Sequence, residues 1–202
     1  RRACRYVRDV ASSLALLHAR KLLHRDVSPR NVRVTSDDRV KLIDFGAMSS
    51  FGMVDVVVGT PPYVAPEAAQ RAPLDQRADL FALGALAYWL LTGRHAFPAR
   101  TMQELPDMWR AHPARPSQVI ASDEVASQWI ESIPADVDDL VMSLLTPNPL
   151  GRPATAIEVI ERLSVICGEQ DEHEELSARA YLCGAEVVGR ERERMRLRKR
   201  LD

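Results

Sequence analysis

The 202-residue sequence contains few aromatic residues and few cysteines. Aromatic residues make up 5% of the chain, so its core must consist mostly of Leu, Val, Ile and Ala. The three cysteines, Cys4, Cys167 and Cys183, are far apart and odd in number, which gives neither a disulfide framework nor a CxxC metal motif. We predict free thiols in a reducing compartment. The formal net charge is −1, so no overall charge favours nucleic acid or an acidic membrane surface as a partner.

Long hydrophobic runs are also missing. The longest apolar run, LFALGALAYWLL, extends from Leu80 to Leu91. A membrane-spanning helix needs roughly 20 such residues, so this run predicts a buried core helix and no membrane span. No charged start followed by an apolar stretch opens the chain, which argues against a signal peptide. We predict a cytoplasmic protein.

What the sequence does have is helical periodicity. Apolar residues recur at helical spacing from the start of the chain to about Ala19. The runs VRVT and VKLI, separated by four polar residues at 36–39, predict a β-hairpin. Residues 45–66, rich in Gly, Pro and small side chains, predict a long irregular loop. Further helices are predicted at 64–70, 77–92, 101–110, 136–146 and 154–167, with Pro-rich breaks at 113–116 and 147–153. The fold class is therefore mainly α with a small β-hairpin.

The composition changes after residue 167. Residues 168–175 (GEQDEHEE) are acidic, whereas seven basic and two acidic residues stand between 189 and 201. We interpret 168–186 as an acidic linker and 187–202 as the start of a further domain. Because the arginines do not form a helical stripe, a solvated first helix explains them better than a nucleic-acid patch, and nucleic acid is not an expected partner.

The hairpin gathers polar side chains at its open end. If Val32 lies opposite Ile43, then Asn31 and Asp44 are cross-strand neighbours, roughly 5 Å apart at Cβ. A carboxylate and an amide oxygen at this spacing suit Mg²⁺, which proteins hold with one or two ligands plus substrate phosphates. Asp26, five residues before Asn31, adds a second carboxylate that could accept a proton.

Four motifs in order resemble those of protein kinases. They are His24-Arg25-Asp26 with Asn31, then Asp44-Phe45-Gly46, then Ala65-Pro66-Glu67, and finally Arg152 in NPLGRPA. Asp79, in DLFALG, resembles the start of the family's central helix. The resemblance covers residues 1–167 and implies a protein-kinase-like C-terminal lobe (α+β), with the ATP-covering N-terminal lobe absent from the sequence.

The resemblance also implies roles for individual residues. Asp26 would accept or orient the proton of the substrate hydroxyl, and Asn31 and Asp44 would hold Mg²⁺ on the phosphates of ATP. Phe45 and Gly46 complete the metal-binding motif. Arg25 would pair with a phosphorylated residue of loop 47–64, where Ser49, Ser50 and Thr60 are the hydroxyl candidates besides Tyr63. Thr60 is expected to contact the catalytic loop, while His24, Glu67, Asp79 and Arg152 would be structural.

Two features favour a serine/threonine kinase of bacterial type over a tyrosine kinase. Pro29 resembles the KPxN form of serine/threonine kinases, and Gly59-Thr60 resembles their substrate-binding loop. The expected partners are therefore ATP, a protein substrate carrying Ser or Thr, and the missing N-terminal lobe.

The sequence departs from the family in two ways. Ser28 stands where these kinases usually have lysine, and the sequence contains no Gly-rich phosphate loop. We expect the 202-residue piece to be inactive by itself. Either the missing lobe lies upstream in the native chain, or the chain is a degenerate remnant; the intact Asp26, Asn31 and Asp44 favour the former. The alternative function is a pseudokinase or signalling scaffold without phosphate transfer.

The segment Val187–Glu191 (VVGRE) resembles the opening of ATPase modules that follow some bacterial serine/threonine kinases. The match ends before any phosphate-binding loop could be seen. A downstream ATPase domain is therefore a hypothesis that the further sequence would decide.

Overall fold

The computed structural model describes residues 1–123 and 132–167. The interpretations of 168–186 as a linker and of 187–202 as the start of a domain lie outside the described residues. In the described part the helices are α1 (Arg2–His18), α2 (Pro66–Ala69), α3 (Arg77–Thr92), α4 (Leu105–Arg110), α5 (Pro116–Ala121), α6 (Ala135–Leu144) and α7 (Ala156–Cys167). The strands are β1 (Leu22–Leu23), β2 (Val32–Val34), β3 (Val40–Leu42) and β4 (Ser49–Ser50). Single 3₁₀ turns occupy Pro29–Asn31, Pro61–Tyr63, Met102–Glu104 and Pro149–Gly151.

Helix α3 forms the centre of the core. Every residue from Ala78 to Tyr88 is buried, which agrees with the apolar run seen in the sequence. Helices α1 and α6 pack against α3, and α7 packs against α1 and α6. Helix α3 ends at Gly93, whose φ of 68° gives the left-handed conformation that commonly stops a helix. The loop that follows α1 therefore lies against a buried helix.

Most predicted helices are confirmed, with shifts of a few residues at their ends. The helices predicted at 77–92 and up to Ala19 correspond to α3 and α1. Helix α5 was not predicted, because Pro116 was assigned to a break. Pro116 instead occupies the first turn of the helix, where its missing N–H costs no intrahelical hydrogen bond. The loop predicted at 45–66 contains strand β4, which pairs with β1 in the register Leu22↔Ser50.

The hairpin is confirmed, but its predicted register is wrong by one residue. Val32 pairs with Leu42 and not with Ile43. The reason is the turn: Thr35 N–H donates to Arg39 O at 2.8 Å, so Arg39 belongs to the pairing and the loop has three residues. Asp38 closes this loop with a φ of 59°, the left-handed position typical of three-residue hairpin loops.

In the two described ranges, no helix is both long and apolar enough to cross a bilayer. The same residues contain no group of three or more His, Cys, Asp or Glu side chains arranged to hold a metal ion.

The contact between α3 and α6 generates a first prediction. A Cβ added at Gly84 would lie 2.6 Å from Leu144 Cβ, closer than two carbon atoms can approach. Gly84→Ala should therefore lower the free energy of unfolding by about 2 kcal/mol, the usual cost of overpacking a core. Urea denaturation followed by tryptophan fluorescence measures this. At an exposed helix position, replacing Gly by Ala would raise the free energy of unfolding, because Ala is the better helix former. A Gly84→Ala variant that is more stable than the wild type would therefore contradict the close contact with Leu144.

Candidate active site

A buried carboxylate at the start of α3 holds the loop after β1. Asp79 is 1% exposed, and its two oxygens accept the backbone N–H groups of His24 and Arg25, each at 2.9 Å. His18 Nε2, from the end of α1, lies 2.9 Å from the same carboxylate. Arg25 has a φ of 68°, a conformation that non-glycine residues rarely adopt. The three contacts fix the loop in this strained form.

His24 connects the loop to the hairpin. Its side chain is fully buried, with Nε2 3.2 Å from Ile43 O and the ring edge-on to Phe45 at a centroid distance of 5.4 Å. Its Nδ1 accepts the backbone N–H of Asp26 at 3.4 Å, so the ring also contacts the loop itself. His24 thus positions the segment that carries Asp44.

Asp26 makes three side-chain contacts that fix its carboxylate. Oδ2 accepts the Asn31 amide at 2.7 Å. Oδ1 accepts both the N–H and the hydroxyl of Thr60, each at 3.0 Å. The Asn31 amide nitrogen also donates to Asp26 O at 2.9 Å. Because Asn31 uses its nitrogen on Asp26, its amide oxygen is free of hydrogen bonds from the described residues.

The approach of Thr60 to Asp26 depends on Gly59. Gly59 has a φ of 112°, and a Cβ at this position would lie 2.8 Å from Arg25 O. No side chain fits between these two segments, so glycine allows the backbone of residues 59–60 to lie against the loop. The contact of Thr60 with this loop was expected from the family resemblance, whereas the role of Gly59 in allowing it was not.

Asp44 lies at the open end of the hairpin. Ile43 N–H donates to Asn31 O at 2.8 Å, so Asn31 is opposite Ile43 and Asp44 is one position further on. The predicted side-by-side placement of Asn31 and Asp44 is therefore wrong by the same single residue. Asp44 is exposed, has a φ of 61°, and accepts Gly46 N–H at 3.2 Å. An exposed carboxylate and a free amide oxygen near one loop suit a hard cation such as Mg²⁺.

Arg25 binds the irregular segment 47–64 through its guanidinium, which donates to Val56 O. Partial burial lowers the pKa of Arg25 from its ordinary value. The hydroxyl-bearing residues of this segment lie elsewhere: Ser49 and Ser50 in β4, Thr60 on Asp26, and Tyr63 beside His95. Burial raises the pKa of Tyr63 far above its usual range, so its hydroxyl stays protonated.

Glu67 and Arg152 form a buried ion pair 85 residues apart. Arg152 Nη1 and Nη2 donate to the two carboxylate oxygens of Glu67 at 2.6 and 2.9 Å. The guanidinium also donates to Arg77 O and Pro147 O, and it lies 4.8 Å from the centre of the Phe81 ring. Arg152 Nε donates to Thr146 O, so all donors of the guanidinium are used, and the pair joins α2 to the start of α3 and to the turn before α7.

The structure therefore connects Asp26, Asn31 and Thr60 directly by hydrogen bonds, and the hairpin places Asp44 one position beyond the residue that lies opposite Asn31. Sequence reasoning did not identify the contact of His18 with Asp79 or the role of Gly59 in the approach of Thr60. Only the fold brings the end of α1 to Asp79, so no local signal could have identified His18.

Residues 1–162 match the protein kinase domain family. The chain belongs to the protein kinase family. The serine/threonine-protein kinase PknL of Mycobacterium tuberculosis is 33% identical over 168 residues, which is 81% of this chain and 40% of that protein. The serine/threonine-protein kinase pkn2 of Myxococcus xanthus is 31% identical over 81% of this chain and 20% of its own length. The serine/threonine-protein kinase PknB of Mycobacterium leprae is 31% identical over 78% and 25%. This kinase chain thus spans less than half of each of these relatives.

The role of Asp79 in this kinase generates a second prediction. Asp79→Asn leaves one acceptor oxygen for the N–H groups of His24 and Arg25, so a buried donor loses its partner. The free energy of unfolding should fall by about 2 kcal/mol, the cost of an unsatisfied buried polar group. Urea denaturation measures the change. Asp107→Asn, which breaks only the exposed pair with Arg110, is the matched control and should leave stability almost unchanged. Equal effects of the two variants would contradict the anchoring role.

Proposed function

We propose that the complete protein transfers the γ-phosphate of ATP to serine or threonine side chains of a protein substrate. The observation that carries the proposal is the pair of contacts on Asp26, from Asn31 at 2.7 Å and from Thr60 at 3.0 Å. These contacts fix a carboxylate next to a free amide oxygen. Family membership and the serine/threonine kinases among the relatives support the same reaction.

Asp26 would accept or orient the proton of the attacking hydroxyl, and Thr60 would hold the carboxylate in place. The side-chain oxygens of Asn31 and Asp44 would hold Mg²⁺, because amide and carboxylate oxygens are both hard ligands. The amide oxygen of Asn31 accepts no hydrogen bond from the described residues, and Asp44 is exposed. When bound, Mg²⁺ neutralises charge on the phosphates of ATP. Most of the rate would come from positioning and charge neutralisation, because phosphoryl transfer needs little covalent chemistry from the protein.

The serine/threonine class rests on the segment next to Asp26. Gly59 and Thr60 lie directly against the catalytic loop, and Pro29 begins the 3₁₀ turn that ends at Asn31. We further propose that residues 1–167 are the C-terminal lobe of the kinase domain. The 202 residues contain no Gly-rich phosphate loop, so the activity is proposed for the complete protein. A cytoplasmic location stays a prediction from the sequence.

The proposal is tested by phosphate transfer from radiolabelled ATP to a protein substrate. Asp26→Asn in the full-length protein should lower kcat by about 100-fold or more, because the position that orients the acceptor proton loses its charge. Asp37→Asn, the same change on the exposed hairpin loop, should leave kcat unchanged. Equal labelling by the wild type and the Asp26→Asn variant would reject the enzyme and favour the pseudokinase or scaffold.

Ser28 is the observation that favours this second candidate. Its side chain is fully buried, and its hydroxyl has no hydrogen-bond partner in the described residues. It therefore supplies no positive charge where kinases usually carry lysine. A non-catalytic protein would tolerate this loss, whereas an enzyme would lose charge stabilisation of the transferred phosphate.

A lysine at position 28 separates the two possibilities further. Ser28→Lys should raise kcat of the full-length enzyme or leave it unchanged, since an ammonium group at this position would offset phosphate charge. Ser28→Ala serves as the control for loss of the hydroxyl alone. Steady-state kinetics with ATP and a peptide substrate give the comparison. A tenfold loss in the lysine variant would show that the site is built around serine.

A further inference from the structure

We propose that the cavity beside Asp26 selects protein substrates that carry acidic side chains close to the acceptor serine or threonine. This inference rests on the proposed function, since it assigns the substrate class of the same site. The cavity measures about 600 Å³ and is open to solvent. Its walls come from the catalytic loop, the segment 59–63, and the region from the end of α3 to residue 100.

The cavity adjoins the position where an acceptor hydroxyl must lie. Gly59 and Thr60 line it, and the same Thr60 donates to Asp26 Oδ1 from both its N–H and its hydroxyl. A polypeptide whose hydroxyl reaches Asp26 would therefore place its neighbouring residues in this cavity. Trp89, half buried, supplies a flat apolar wall for the chain.

Two arginines make the cavity positive. Arg30 and Arg100 line it with exposed side chains, and no Asp or Glu is among the described residues that line it. Neither guanidinium forms an ion pair within the described ranges. Arg94, nearby in sequence, is in contrast paired with Asp123 at 2.9 Å. Burial lowers the pKa of His95, so that ring adds little charge at neutral pH. Glu104 accepts Arg100 N–H at 2.9 Å and offsets part of the charge of that arginine, so the positive charge of the lining, which favours an anionic occupant, rests mainly on Arg30.

Ser28 gives a second, independent indication of an occupant. Its hydroxyl is buried in the cavity wall without a hydrogen-bond partner among the described residues, although buried polar groups are nearly always paired. A carboxylate oxygen or a peptide carbonyl oxygen in the cavity would accept a hydrogen bond from the Ser28 hydroxyl. The hydroxyl of Ser28 and the exposed guanidinium groups of Arg30 and Arg100 thus suit the same kind of ligand, an acidic peptide.

The test uses the full-length protein and two fluorescent peptides with a central serine, flanked on both sides by glutamates in one and by glutamines in the other. Binding is measured by fluorescence anisotropy without ATP, and kcat/KM is measured with ATP. The glutamate peptide should bind about tenfold more tightly at low salt. The preference should shrink as salt rises, because exposed charges are screened.

The matched variants separate a local effect from net charge. Arg30→Gln with Arg100→Gln should reduce the preference to within about twofold, because most of the electrostatic complementarity is removed. Arg110→Gln with Arg162→Gln removes the same charge from exposed sites on α4 and α7 and should keep the preference. Thermal melting checks that both double variants are folded. If the cavity double variant melts early, the single variant Arg100→Gln replaces it and should lose part of the preference for the glutamate peptide.

Each outcome decides the proposal. Equal binding of the two peptides by the wild type, or a preference that survives in the cavity variant, would overturn it. Transfer to both peptides at equal kcat/KM, together with equal binding, would leave the kinase activity standing and remove only the substrate class. Tight, charge-dependent binding without any transfer would support the site for acidic peptides and reject the proposed activity instead.

Discussion

The arrangement of the site depends on one buried carboxylate. Asp79 belongs to α3, the buried helix at the centre of the core, and its two oxygens accept backbone N–H groups of the loop that carries Asp26. The loop needs this support because Arg25 has an unfavourable positive φ. Strained backbone of this kind persists only where the surroundings determine it completely. Hydrogen bonds to the buried helix α3 thus stabilise a loop conformation that would be unfavourable in isolation.

A second buried charge pair extends this support to the other side of the site. Arg152 and Glu67 lie 85 residues apart in sequence and satisfy each other in bidentate geometry. Replacing such a pair by apolar residues often costs little stability, so its value lies more in position than in energy. Here it fixes α2, which directly follows the segment that brings Thr60 to Asp26. Arg25, bound to Val56 O, holds the middle of the same segment.

Regular elements and motifs could be predicted from the sequence, whereas distances across the fold could not. The apolar run of α3 and the periodicity of α1 carry their signal locally, so both helices were predicted nearly to their ends. The hairpin register was wrong because a polar Arg39 looks like a loop residue, while its backbone pairs with Thr35. One residue of slip moves every side chain to the other face of a strand, so the relation of Asn31 to Asp44 changed with it. The His18–Asp79 contact joins residues 61 positions apart and has no local signal.

The replacement of lysine by Ser28 has a consequence for charge that extends beyond one position. A fully buried serine cannot bring a cation to the phosphates, and the nearest arginine on the same turn, Arg30, is exposed in the cavity. In the described residues, Arg30 and Arg100 therefore carry positive charge on the cavity wall, whereas position 28 carries none. Under the proposed function, charge on that wall would act on binding of the polypeptide, whereas charge at position 28 would act on the transferred phosphate. The two effects must therefore be measured on separate variants.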